Sequence, residues 1–247
     1  MKRVRDLHAI GCNDCQIARI TGIPRGTIRA WLYPRYVPRP GSKQGRICFR
    51  CDDPPVPAPR EYSYLLGLYL GDGCLSPSGR EGFRLRIVQD QRYVNLIEEC
   101  ERVILAMGPR SVHYCRAVGC VEIGSNWKHW IHLLPQHGPG PKWRRRIVLE
   151  PWQREVVADE PKQFLRGLIH SDGCRTTNVV HRTWQGRRVR YAYPRYFFSN
   201  ASDDIRMLFT DACDLLGLRW TQTNARVVAV SRSSDVAFLD TFIGPKS

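Results

Sequence analysis

The sequence predicts an α+β protein in which one αββαββα unit occurs twice behind a small all-α module. Three observations predict it. First, the segment Leu65-Leu66-Gly67-Leu68-Tyr69-Leu70-Gly71-Asp72-Gly73-Cys74 recurs one hundred residues later as Leu165-Arg166-Gly167-Leu168-Ile169-His170-Ser171-Asp172-Gly173-Cys174, with six of ten positions identical. Second, helical and strand-like patterns follow each copy in the same order. Third, the first 33 residues read as short helices and are set apart by a proline-rich stretch. The expected organisation is a helix-turn-helix module at 1–33 and a linker at 34–60. A first repeat at 61–137, a connector at 138–159 and a second repeat at 160–247 complete it.

Composition narrows the function. Of 247 residues, 43% are hydrophobic, enough for a real core and against wholesale disorder. The net charge is +15 and the pI near 9.7, with arginine leading the basic residues. A surplus of that size points to a polyanionic partner, nucleic acid above all. Met1 to Ile10 is charged and lacks the apolar stretch of a signal peptide. The longest apolar run lies within Tyr64–Leu70, too short to span a bilayer. A cytoplasmic, reducing location is therefore expected. There the ten cysteines would be thiols or metal ligands, not disulfides.

The elements follow in order. Asn13–Ile20, the turn Thr21-Gly22-Ile23-Pro24 and Arg25–Leu32 read as helix, turn, helix. Ile17, Ile20, Ile23, Ile28 and Trp31 fall where such a module buries apolar side chains, and Gly22 sits at the turn. The second helix would present Arg25, Thr27 and Arg29 to a DNA groove, similar to the small modules of bacterial regulators and resolvases. Cys12-x-x-Cys15 and Cys48-x-x-Cys51 could together make a four-cysteine Zn²⁺ site. Against zinc, Cys12 fits the apolar pattern of its helices, and the Cys48/Cys51 pair, within a linker too rich in proline for regular structure, lacks two ligands of its own.

Each repeat opens with an apolar helix, about 61–73 and 160–173. A strand pair follows. Phe83, Leu85 and Ile87 alternate with Arg84, Arg86 and Val88, and the second-repeat counterpart is 190–200, after the turn-like Trp184-Gln185-Gly186-Arg187. Amphipathic helices are expected at 93–107 and 204–216, each closed by a glycine, Gly108 or Gly217. A further hairpin lies near 110–124 and 218–232, and a last helix near 126–136 and 234–243. Gly138-Pro139-Gly140-Pro141 breaks regular structure between the halves.

The repeated segment carries the chemistry. Gly67 and Gly71, and Gly167 and Ser171, are one turn apart, and small residues at that spacing let two helix backbones approach closely. If the two helices pack, Asp72 and Asp172 meet at one end. Two carboxylates in one cleft repel unless a cation neutralises them, and Mg²⁺, an oxygen-seeking ion that keeps several waters, suits the pair. Asp-Gly is also a common turn, so a single copy would be a plain core helix; the repetition in matched context is what favours chemistry. The glycines lie inside a helix with no preceding strand, so a dinucleotide fingerprint does not fit.

On these residues the chain resembles the LAGLIDADG (DOD-type) homing endonucleases, in the form where one chain carries both halves. The resemblance spans about residues 61–245. It implies a pseudo-twofold monomer whose motif helices form the central interface and whose saddle-shaped antiparallel sheets straddle double-stranded DNA. It implies divalent ions on Asp72 and Asp172, helped by the carbonyls of Gly71 and Ser171. It also implies polar residues at the ends of the second strands, which Gln89 and Asn200 fit. The sixth motif position, acidic in the name-giving pattern, is Leu70 in one copy and His170 in the other. A basic residue near the scissile phosphates is expected too; Lys128 and Lys142 are candidates, though either position also suits a plain surface charge. Cys74 and Cys174 are expected to pack as small apolar residues.

The expected DNA face lies on the strands. Arg84 and Arg86 share one face, Arg182, Arg187, Arg188, Arg190 and Arg195 crowd the matching hairpin, and Arg116 and Arg219 belong to the other hairpins. Arginine also suits bidentate contact with guanine. The reaction implied is metal-dependent hydrolysis of phosphodiesters in double-stranded DNA. The alternative is a non-cleaving transcriptional regulator on the same scaffold, for which paired acids at the interface serve no purpose.

Overall fold

The computed structural model describes residues 2–32, 58–78, 82–184 and 186–246. The chain divides into two units, Met1–Ile47 and Cys48–Ser247.

The first unit has three short helices, α1 (Lys2–Ala9), α2 (Asp14–Thr21) and α3 (Arg25–Leu32). Asn13 starts α2. Its Oδ1 accepts from the amides of Cys15 and Gln16, while the Gln16 side chain accepts from the Asn13 amide at 2.9 Å. Gly22 ends α2 at φ +69°, a conformation that costs glycine nothing. Val4, Ile17 and Ile28 are buried, with Leu7, Cys12, Ile23 and Trp31 packed around them. Ile20, expected inside, is 50% exposed. Three eight-residue helices bury only a narrow stripe, and Ile20 lies beyond it.

In the second unit, α4 (Pro59–Asp72) leads directly into β1 (Gly73–Ser78) and β2 (Gly82–Asp90). Then come α5 (Val94–Ala106), β3 (His113–Ala117), β4 (Cys120–Trp127) and the single turn α6 (Trp130–Leu133). The second half repeats the order: α8 (Pro161–Asp172), β5 (Gly173–Trp184), β6 (Arg187–Ser199), α9 (Asp203–Leu215), β7 (Thr221–Asn224), β8 (Val227–Val230) and α10 (Ser233–Asp240). The two antiparallel sheets have matching strand orders, β1-β2-β4-β3 and β5-β6-β8-β7. Strand β2 and the last residues of β6 alternate between buried and outward positions. Leu85 and Ile87 are buried beneath the helices, and so are Tyr196 and Phe198. The opposite sheet faces are open.

Three local readings change. Helix α4 begins at Pro59, inside the stretch read as linker, because proline is tolerated at the first helical position. The helix expected at 126–136 is one turn long. The connector contains a 3₁₀ turn (Lys142–Arg144) and a helix, α7 (Pro151–Asp159). Pro151 stands at the start of α7, and Gln153 caps it by accepting from the Glu150 amide at 2.9 Å. Val156 and Val157 bury its inner face. Gln153 is wholly buried and donates to Tyr62 Oη at 2.6 Å, which ties the connector to α4. One core cluster runs through both repeats and includes Leu65, Leu68, Phe164 and Leu168.

Candidate active site

Helices α4 and α8 pack backbone to backbone. A Cβ placed on Gly67 would lie 2.5 Å from the Phe164 carbonyl oxygen, and one on Gly167 would strike the Tyr64 carbonyl. No side chain fits there, so these two glycines set the closeness of the crossing. One turn further on, Gly71 faces Ser171, and a Cβ on Gly71 would lie 3.0 Å from Asp172 Oδ2. The carboxylate that ends α8 thus reaches the end of α4.

Asp72 and Asp172 are half-buried at this shared end. The Asp72 carboxyl is pushed up to about 6 from an ordinary 3.8, first by burial and then by the charge of Asp172. Asp172 is also raised, by burial, against the pull of Asn200 and of two lysines. Gln89 Nε2 donates to Asp72 Oδ2 at 3.1 Å, and Asn200 Nδ2 donates to Asp172 Oδ2 at 2.6 Å. Asn200 is itself held, its Oδ1 accepting from the Ser202 amide at 2.8 Å. The polar residue at each second strand's end therefore orients one acid.

Lysines complete the symmetry. Lys142 Nζ donates to the carbonyls of Tyr69, Leu70 and Gly71. Lys246 Nζ donates to those of Ser171 and Gly173. Burial lowers Lys142 to about 8, while the two aspartates pull it back up, and burial lowers Lys246 as well. Of the two candidate lysines, Lys142 is half-buried beside the acids and not a plain surface charge, while Lys128 is exposed. Lys246 was missed altogether. A signal for both exists: each follows Gly-Pro, in Gly140-Pro141-Lys142 and Gly244-Pro245-Lys246. The carbonyls of Gly71 and Ser171, expected beside the ions, already accept these ammonium groups.

Position six of the motif is structural here. Leu70 is fully buried. His170 is 2% exposed, and its Nδ1 lies 2.7 Å from Tyr64 Oη on α4. Burial lowers His170 to about 4, so it is neutral at pH 7. Arg166, where the first copy has Leu66, stacks over the Tyr64 ring and forms a two-pronged pair with Glu99 on α5, both bonds 2.5 Å.

The register sorts the arginines by face. Arg86 pairs with Cys74 and Arg84 with Ser76 on the open face of the first sheet, where Glu122 binds Arg84. On the second sheet the open face carries Arg182, Arg187 and Arg195, opposite Val189, Trp184 and Thr176. Arg188 and Arg190 are offset by odd steps and lie on the reverse face, with Tyr196 and Phe198. Arg116 pairs with the buried Val121, so it stands on the helix side of its sheet and not with Arg84 and Arg86. Arg219 is exposed just ahead of β7. Cys74 and Cys174 are exposed, not packed: Gly73 and Leu75 take the inward positions, and Arg86 reaches Cys74 Sγ at 3.4 Å. In the first unit Thr27 is half-buried, and the side chains of Arg25 and Arg29 lie outside the described part, as do Cys48 and Cys51. The eight described cysteines are free thiols.

The oxygen-rich pair suits a hard divalent cation. Among the described residues no cluster of three or more His, Cys, Asp or Glu could hold a metal, so an ion here would rely on two carboxylates plus water or phosphate, the habit of Mg²⁺. No described helix is long and apolar enough to cross a membrane.

No protein-family model matches the sequence, and no curated protein matches it. Solved structures do. Variants of the homing endonuclease I-DmoI match at a TM-score of 0.50 and 16% identity, over 76% of this chain and 97% of theirs. I-DmoI in complex with DNA and Ca matches at 0.47 and 17%, over 76% and 92%. The LAGLIDADG meganuclease I-AabMI bound to uncleaved DNA matches at 0.48 and 12%, over 73% and 82%. The chain shares the fold of I-DmoI, with both αββαββα repeats on one chain.

Proposed function

We propose that this protein is a site-specific double-stranded DNA endonuclease that uses a divalent metal, Mg²⁺ by the chemistry of its ligands. The observation that carries the reading is the meeting of Asp72 and Asp172 at the crossing of α4 and α8, each oriented by its own amide and flanked by its own lysine. A scaffold that only binds DNA gains nothing from two raised, mutually repelling carboxylates.

Asp72 and Asp172 would hold the ion, which supplies an activated water and neutralises charge on the phosphate. Gln89 and Asn200 hold the carboxylate planes in place. Lys142 and Lys246 bring positive charge to both sides of the scissile phosphates and stabilise the developing negative charge. Lys142, lowered to about 8, can also hold or release a proton near neutral pH. Arg84 and Arg86, with Arg182, Arg187 and Arg195, supply the duplex-facing charge. The N-terminal helices would add a second DNA contact through α3. The protein would act as a monomer, since both halves of the site lie on one chain.

Asp72→Asn and Asp172→Asn test this directly. Each should lower double-strand cutting of a selected duplex by about a thousandfold, with DNA affinity within a few-fold of wild type. A double variant that still cuts would remove these acids from the reaction.

A further inference from the structure

The two halves match in topology but not in reach. In the first sheet β1 and β2 are 6 and 9 residues long, and β4 backs β2 from Phe83 to Asp90, leaving only the Ser78–Gly82 pair unbacked. In the second sheet β5 and β6 are 12 and 13 residues long, and β8 backs β6 only from Tyr196 to Ser199. Nine residue pairs, from Thr176–Arg195 to Trp184–Arg187, therefore project as a bare two-stranded ribbon.

Such a ribbon is marginal alone in water. This one exposes Val179, Tyr191 and Tyr193 at 41%, 45% and 39%. Its nine pairs carry five arginines and no acid: Arg182, Arg187, Arg188, Arg190 and Arg195. A two-stranded ribbon fits the major groove. Its open face continues the face beside Asp172 and presents Arg195, Tyr193, Tyr191, Arg182 and Arg187 in succession. Arg195 is already steadied, 4.0 Å over the Phe197 ring.

We propose that this ribbon makes the DNA site asymmetric. The half-site held by the second repeat extends further from the cut than the half-site held by the first. The second hairpin has twelve pairs against six in the first, and six more pairs at ~3.4 Å span about 20 Å, so the added contact is on the order of four base pairs along the oblique groove. The inference rests on the nuclease reading and specifies the shape of its substrate.

The test is a hydroxyl-radical footprint on a duplex selected by cleavage from a randomised library. The wild-type chain should protect about four more base pairs on one side of the cut. A shortened variant, with residues 180–191 replaced by Asn-Gly so that Val179 still faces Ala192, should lose protection on that side only and leave the cut position unmoved. Arg182→Ala with Arg187→Ala, which leaves the backbone intact, should weaken binding at least tenfold and flatten the log–log salt dependence by about 1.8, or 0.9 per lost phosphate contact. Equal reach on both sides, with cutting intact, would overturn the ribbon assignment and leave the nuclease reading standing. Failure of the wild-type chain to bind or cut any duplex would overturn the nuclease reading, and the ribbon assignment with it.

Discussion

At the scale of single residues, the site is a balance of buried charge. Asp72 is raised to about 6 in the folded protein, above its ordinary 3.8. A raised carboxyl contributes stability that is complete below pH 4 and lost as pH climbs through 6. His170, lowered to about 4, works in the opposite direction over the same range, so the Asp72 contribution is read as a difference between variants: in the metal-free protein Asp72→Asn should raise the melting temperature above wild type by more at pH 7 than at pH 5. Magnesium should restore the melting temperature at pH 7 far more than at pH 5, because ion and proton compete for the same oxygens; thermal melts at both pH values read this out. The lysines make a second prediction. Lys142→Met or Lys246→Met should slow cutting by about a hundredfold while metal-dependent stabilisation persists. Nicked circles should accumulate from a single-lysine variant if each lysine serves one strand. A plasmid assay in which neither variant slows the reaction would make both lysines purely structural.

At the scale of elements, the crossing of α4 and α8 decides the geometry of everything above. Helix propensity alone says that Gly67→Ala should stabilise by about 1 kcal/mol. Packing says the reverse, because the added carbon would sit 2.5 Å from a backbone oxygen that cannot swing away. Overpacking of that kind costs about 1–3 kcal/mol, so the helices must part and the net change should be destabilising. Urea unfolding of Gly67→Ala measures the sign, and a more stable variant would contradict the close crossing. The elements also show where sequence reading reached. The repeated segment, the alternation of Phe83 to Val88 and the glycines at 108 and 217 were legible because each reports local periodicity. Helix α7 was obscured by the Gly-Pro run ahead of it, although Pro151 at its first position is a start signal.

At the scale of the whole second unit, the two repeats share one core. Phe198 and Phe209 stack at 4.4 Å in the second half, and the same cluster reaches Leu85 and Ile87 in the first. Phe209→Ala should cost about 3–5 kcal/mol. If the unit is cooperative, that loss should appear equally in the hydrogen exchange of β2 and β4 amides, across the interface. Protection in β2 and β4 that ignores the substitution would mean the halves fold independently.

The polar residue that closes each second strand was implied by the family resemblance; by itself the sequence determined the repeat, the order of its elements and the two acids. These follow from spacing along the chain, and spacing is local. Only the tertiary structure decided which charges meet. It brought Lys142 and Lys246 to the acids from 70 or more residues away, sent Arg188 and Arg190 to the reverse face of their ribbon, and put Arg116 on the helix side. Contacts between distant segments depend on register and on the closeness of a helix crossing, and a single residue's shift in either would exchange one face for the other.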